Sequence, residues 1–245
     1  KPEAPDKAED GKNPGKNEDN AQTPAEDPKQ EENNNNNNGD NATTPSDTKV
    51  PSGEYRAVWI SYLELGGMLT GKTAGQFRSN IGAAYDNVKN LGCNTVIVHV
   101  RPFGDALYPS RYFPFSHLCT GTQGQDPGFD PLAVLVETAH AQGLTLEAWI
   151  NPYRLQANGT PAELCAQSPA LLHPNWVKHT ATGLYLDPAS IKVQQYLADS
   201  IRELCTNYAI DGIHFDDYFY PTTAPDFDAD SYAASGSTLS LADWR

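Results

Sequence analysis

The sequence predicts an α/β protein of the (β/α)₈ TIM-barrel type, with only the N-terminal half of the barrel present and a disordered tail in front of it. Three observations lead there. Strand-like and helix-like stretches alternate through residues 54–245, the pattern of a parallel sheet with crossover helices. The first strand runs into "SYLELGGM" and not into a glycine-rich phosphate loop, which disfavours a doubly wound dinucleotide fold. Polar residues collect where each strand ends, at Glu64, Arg101, Asn151 and Arg154, then Asp216 and Asp217. Barrel active sites are built at that end.

Each element has its own signal. "EYRAVWIS" carries Val58 and Ile60 in a strand that ends near Ser61. "TAGQFRSNIGAAYDNVKNLG" places Phe77, Ile81, Ala84, Tyr85, Val88 and Leu91 at helical spacing, with Gly92 as the stop. "NTVIVHVR" is a nearly continuous apolar run, as expected of a strand buried on both faces. After a long aromatic loop from Pro102 to about Asp130, "DPLAVLVETAHAQG" reads as a helix with Asp130 at the N-cap, Pro131 at N1 and Gly143 as the stop. "LTLEAWINPYR" is the third strand. A second long loop leads to "YLDPASIKVQQYLADSIRELCTNY", helical from about Ser190, and "IDGIHFDDYFYP" is the fourth main strand. Four strands make half of an eight-stranded barrel, and "LADWR" at the end looks like the start of another helix. The chain therefore reads as a piece of a longer protein.

Composition divides the chain near Gly53. Residues 1–53 hold 6 Lys and 12 Asp and Glu, no aromatic residue, many prolines and the run "EENNNNNNGDN". Such a segment cannot bury enough apolar surface to offset its ordering entropy and reads as a disordered acidic tether. Residues 54–245 hold all 4 Trp, 12 Tyr and 8 Phe and form the globular part. The net charge of −14 argues against nucleic acid and anionic membranes as partners. No run of 18 apolar residues is present to span a bilayer. The chain starts at Lys1 without Met, so a cleaved signal or a lipid-anchored cysteine upstream of residue 1 would fit the long polar tether. Cys93, Cys119, Cys165 and Cys205 lack metal-type spacing, and Cys93 and Cys205 fall at positions that read as buried. Neither a cofactor nor a metal site is implied.

The candidate chemistry centres on "DGIHFDDYFYP". Strand alternation puts His214, Asp216 and Tyr218 on one face, with Phe215, Asp217 and Phe219 on the other. Buried carboxylates are costly unless paired or used. Asp216 among aromatic residues has the equipment for glycoside chemistry, as nucleophile, as stabiliser of an oxocarbenium-like centre, or as an acid. Asp217 is its partner or alternative. Glu147 shares a face with Trp149 and Asn151 and is the candidate second carboxylate. Arg101, Asp105, Trp149, Asn151, Arg154, His214 and Tyr218 are candidate substrate-binding residues. The competing reading makes the acidic pair a loop cap or an ion pair with Arg101, and makes Asp105 a loop hydrogen-bonder. His99 and His140 read as packing or surface residues.

"RAVWIS", "NTVIVHVRPFGDALYPS", "DPLAVLVETAHAQGLTLEAWINPYR" and "DGIHFDDYFYP" together resemble the glycosyl-hydrolase-like family 10 domain of bacterial cell-envelope proteins. The resemblance runs from Glu54 to Arg245. It implies a (β/α)₈ barrel, a secreted or envelope-attached location, and a glycosidase-type activity on a glycan such as the glycan strands of peptidoglycan. A non-catalytic carbohydrate-binding barrel is the alternative. Phe115 stands where the family often has Trp, and Glu147 where it often has His. The fourth strand also resembles that of family 18 chitinases, with Asp216 at the last aspartate of their motif. There His214 replaces the middle aspartate and Tyr218 the glutamate, so the substrate-assisted mechanism does not carry over.

Overall fold

The computed structural model describes residues 53–216 and 220–245. Along them run β1 (Ala57–Ile60), α1 (Tyr62–Leu69), α2 (Ala74–Asn90), β2 (Thr95–Arg101), α3 (His117–Thr120), α4 (Pro131–Ala141) and β3 (Thr145–Ile150). Then follow β4 (Arg154–Ala157), α5 (Pro169–Leu172), β5 (Val177–Thr180), β6 (Gly183–Leu186), α6 (Ile191–Asn207), β7 (Gly212–His214), α7 (Ala229–Ser235) and α8 (Leu241–Trp244). Strands β1, β2, β3 and β7 form one sheet in that order, every neighbouring pair parallel. The chain lays its strands down in sequence without reversing direction across the sheet. Right-handed crossovers then put every connecting helix on the same face. A doubly wound sheet would need a reversal point, and these four strands contain none.

The packing follows from alternation. Val96, Val98 and Val100 of β2 and Leu146, Ala148 and Ile150 of β3 form one core with Phe77, Ile81 and Tyr85 of α2, Leu132 and Leu135 of α4, and Val193, Leu197 and Leu204 of α6. The other residues of the same strands turn to the opposite face. Helix α4 starts as its sequence dictates: the Asp130 carboxylate accepts from the Ala133 N–H at 3.0 Å, and Pro131 occupies N1. It stops at Gly143, whose φ of 74° lies in the left-handed region that suits glycine. Leu91, counted above with the apolar face of α2, falls at the C-cap and is exposed.

Three features depart from the sequence reading. First, Ser61 is an N-cap and not the approach to a polar strand end. Glu64 closes a capping box with it, which starts α1. Second, the loop after β3 contains an antiparallel sheet in the order β4-β6-β5. Third, the fourth strand is shorter than "IDGIHFDDYFYP" suggests. β7 pairs with β3 only from Glu147↔Gly212 to Trp149↔His214. Beyond Ile150 the β3 chain turns away through Asn151 and Pro152 into β4, so β7 loses its ladder partner. Among the described residues no helix is long and apolar enough to cross a membrane. The four cysteines are free thiols, and Cys205 is exposed, contrary to the buried position expected for it.

Buried carboxylates hold the long loop before α4. Glu203 of α6 is buried and accepts from Ser110 Oγ at 2.5 Å and from the Arg111 backbone N–H at 2.9 Å. Hydrogen bonds to a charged acceptor contribute about 1.5–3 kcal/mol. Glu203→Ala should therefore cost about 2–3 kcal/mol in urea unfolding, and Glu203→Gln less. An unchanged midpoint for the alanine variant would show that the loop is held by packing alone.

Candidate active site

The sheet face turned away from the helices is layered by register. The lowest layer aligns Ala57, Thr95 and Thr145, and the two threonine hydroxyls meet at 2.7 Å. The middle layer aligns Trp59, Ile97, Glu147 and Gly212. The top layer aligns His99, Trp149 and His214, and the segments that leave β3 and β7 carry Asn151, Arg154 and Asp216. A Cβ at Gly212 would stand 3.1 Å from Glu147 Cγ, a tight contact that the Glu147 side chain would have to shift to relieve.

The top layer is aromatic and tightly oriented. His99 and Trp149 stack with centroids 3.8 Å apart and planes 7° from parallel. His214 meets the Trp149 ring edge-on at 6.1 Å. Trp59 donates its indole N–H to His214 Nε2 at 3.2 Å, and His214 Nδ1 faces Glu147 Oε2 at 3.6 Å. Tyr55 lies beside Glu147. Desolvation, then that carboxylate as hydrogen-bond partner and charge, push the Tyr55 phenol up to about 12.

Burial pushes the His99 imidazole down to about 3, and the Arg154 guanidinium adds to the fall while Asn151 opposes it. His99 thus stays neutral and serves as an aromatic slab in the stack with Trp149. The "NPYR" turn is stitched to the end of β2. Asn151 Nδ2 and Arg154 Nε both donate to the Pro102 carbonyl, at 3.2 and 2.9 Å. The Arg154 guanidinium also lies over the Phe103 ring at 4.9 Å and the Tyr62 ring at 5.8 Å. Desolvation lowers its pKa, and Tyr62, Tyr185 and Asp216 act in the other direction. Asp216 and Arg154 are thus electrostatic neighbours at the exits of β7 and β3.

Of the residues singled out from sequence, Trp149, Asn151, Arg154, His214 and Asp216 come together here. Glu147 shares the face but lies one layer below the strand ends. Asp217 and Tyr218 lie outside the described residues. Arg101 and Asp105 stand apart from this layer. Arg101 is on the helix side: a register shift between His99 and Arg101 breaks the alternation. Its guanidinium donates to Ser200 Oγ of α6 at 2.7 Å and lies 4.3 Å over the Phe113 ring. There it is fully buried and lines a cavity of about 1260 Å³ together with Tyr153, Leu197, Phe215 and Tyr220. Asp105 is sealed inside the loop before α4 and holds it, accepting from His117 Nδ1 at 3.0 Å and Gln123 Nε2 at 3.2 Å; enclosed there, it offers a ligand no accessible oxygen. The sequence reading missed Trp59, Tyr62 and Phe103. Trp59 was findable, since in "AVWIS" it alternates against Val58 and Ile60. Among the described residues no group of three or more His, Cys, Asp or Glu is arranged to hold a metal ion.

A parallel α/β sheet with aromatic and hydrogen-bonding groups beyond its strand ends is an architecture on which many enzyme classes build their sites. The chain belongs to the glycosyl hydrolase-like 10 family, whose profile matches residues 54–238. It is 40% identical over 171 residues to the glycosyl hydrolase YngK of Bacillus subtilis, a match covering 69% of this chain and 34% of that protein. It is 39% identical over 173 residues to the glycosyl hydrolase DigH of Escherichia coli K12, covering 65% of this chain and 39% of DigH. The chain thus spans between a third and two fifths of these curated relatives. Among solved structures, the α-L-fucosidase isoenzyme 2 from Paenibacillus thiaminolyticus superposes with a TM-score of 0.48 at 16% identity, over 74% of this chain and 26% of that one, a likeness too loose to carry an inference.

The His99 environment has a consequence for stability. Its folded pKa of about 3 lies below the usual 6.5. Between those values the unfolded chain binds a proton that the folded chain refuses. The contribution is whole above pH 6.5 and is lost as pH falls towards 3, at up to roughly 1.4 kcal/mol per pH unit. Urea midpoints measured from pH 7 to pH 4 should fall, and His99→Phe should flatten that slope while keeping the stack on Trp149. Equal slopes in both proteins would mean that His99 titrates normally.

Proposed function

We propose that residues 54–245 are the N-terminal part of a (β/α)₈-barrel glycoside hydrolase acting on a bacterial envelope or extracellular glycan, with peptidoglycan glycan strands as the favoured substrate. The observation that carries this reading is the electrostatic coupling of Asp216, two residues beyond His214, with Arg154, which in turn acts on His99 in the aromatic layer of His99, Trp149 and His214. Flat apolar rings offer a surface to a sugar ring, and Asn151 and Arg154 supply hydrogen-bond donors at its rim. Glycoside hydrolysis needs a carboxylate to meet positive charge developing at the anomeric carbon and an acid to protonate the departing oxygen. Asp216 takes the first role. Asp217, its neighbour in sequence, remains the candidate partner. Glu147 is already engaged by His214 and Tyr55, which favours a supporting role beneath the site. The family match and the names of YngK and DigH support the reaction class. The choice of peptidoglycan, a secreted or envelope-attached location, the tether role of residues 1–53 and an upstream lipid anchor belong to the proposal.

A carbohydrate-binding barrel without chemistry is the second reading. It is favoured by His214 and Tyr218 standing at two of the acidic positions of the chitinase-like strand. One experiment separates the two. The full-length protein is incubated with intact and with peptide-stripped cell-wall glycan, and the products are identified by mass. A hydrolase releases shorter glycans, and Asp216→Asn should lower turnover by roughly a thousandfold, about 4 kcal/mol of transition-state stabilisation, with glycan affinity kept. Binding without release by the unaltered protein would favour the binding module.

A further inference from the structure

The contacts of His214 determine where its proton sits. An indole N–H can only donate. His214 Nε2, which accepts from Trp59 Nε1 at 3.2 Å, must therefore carry a lone pair. In a neutral imidazole the proton is then on Nδ1, the nitrogen that faces Glu147 Oε2 at 3.6 Å. Tyr55 engages the same carboxylate. The ring cannot turn freely, because Trp59 and Trp149 meet it edge-on from two directions, at 5.9 and 6.1 Å. A second proton on Nε2 would set donor against donor at Trp59. The other ionisable groups of this region are His99, kept neutral chiefly by burial, and Arg154 and Asp216 at the rim.

We propose that His214 is a positioning residue for the reaction at Asp216, held by Trp59 and Glu147 as the neutral Nδ1–H tautomer. Asp216 follows it by two residues, roughly 6–7 Å along an extended chain. A ring fixed in angle and charge at the end of β7 fixes where the chain leaves the sheet, and so where the Asp216 carboxylate stands. Trp59 acts through His214 and needs no contact with substrate. This role rests on the hydrolase reading; the tautomer does not.

Nitrogen-15 NMR of histidine-labelled full-length protein tests the tautomer directly, with His214→Asn used for assignment. The expected spectrum has a protonated Nδ1 and a bare Nε2 at neutral pH. Trp59→Phe keeps the ring but removes the N–H, and should shift part of the population to Nε2–H. On glycan it should lower kcat about tenfold with KM within about twofold, and displace the acidic limb of the pH–rate profile. A protonated Nε2 in the unaltered protein would overturn the proposal, and so would a Trp59→Phe enzyme with unchanged kcat and pH profile. Failure of the hydrolase reading looks different: the unaltered protein then shows no turnover, whichever nitrogen carries the proton.

Discussion

The parallel register of the first sheet determines where every side chain of the candidate site stands. It sets Trp59, Ile97, Glu147 and Gly212 at one height and His99, Trp149 and His214 at the next. The side-chain period of a strand is two, so a slip of one residue in β3 would exchange Glu147 and Trp149 for Leu146 and Ala148. A carboxylate would then face the helices, and the aromatic layer would vanish. The slip is prevented by the outer row of Val96, Val98, Val100, Leu146 and Ile150, all fully buried. Burying each such side chain contributes about 1.5–3 kcal/mol, which a shifted register would forfeit. Asp211 adds a polar lock. Its carboxylate accepts from the Leu146 N–H at 2.8 Å and meets His140 Nε2 at 2.8 Å, tying the start of β7 to the start of β3.

The carboxylates of the domain sort by what surrounds them. Asp105, Asp130, Asp211 and Glu203 each accept hydrogen bonds that close a loop or cap a helix. Their neighbours are donors from the scaffold, and changing them disturbs the fold. Asp216 differs in position, at a strand exit, with an arginine as its electrostatic neighbour. Arg101 shows the reverse case. It ends a strand as a barrel-mouth residue should, yet it is drawn into the layer beneath α6, where Ser200 interrupts the apolar stripe to receive it.

Much of the fold was legible because its long elements carry strong periodicity. Strand β2 and helices α2, α4 and α6 stand within a residue or two of where their apolar spacing puts them, while β3 starts as read but ends at Ile150, before "NPYR". The strands β4, β5 and β6 were not, because each has four residues and no alternation long enough to register. Helix α1 left a readable mark, the Ser61–Glu64 capping box, that the polar strand-end pattern obscured. Among the described residues β7 ends at His214, with Phe215 and Asp216 outside it, because pairing, and not composition, sets a strand's length. "FDDYFYP" is rich in strand formers, but β3 has turned away at Pro152. Within the site, Trp149, Asn151, Arg154, His214 and Asp216 follow from alternation and strand order. The displacement of Arg101 does not, because it depends on a register shift that leaves no trace in residue types.

The layering also separates charge from apolar surface. His99 is neutral by burial, and His214 turns its Nε2 to the Trp59 indole donor. The cation Arg154 and the anion Asp216 lie on the segments that leave β3 and β7, and Glu147 stands one layer below the rings, engaged by Tyr55 and His214. A charged imidazole in the layer would compete with Arg154 for Asp216 and would repel positive charge developing on a bound sugar. A neutral one leaves the rim pair as the field such a charge would meet. On the hydrolase reading, His99 therefore contributes by staying uncharged, because water is excluded from it, and His214 by the orientation that the Trp59 indole gives its ring.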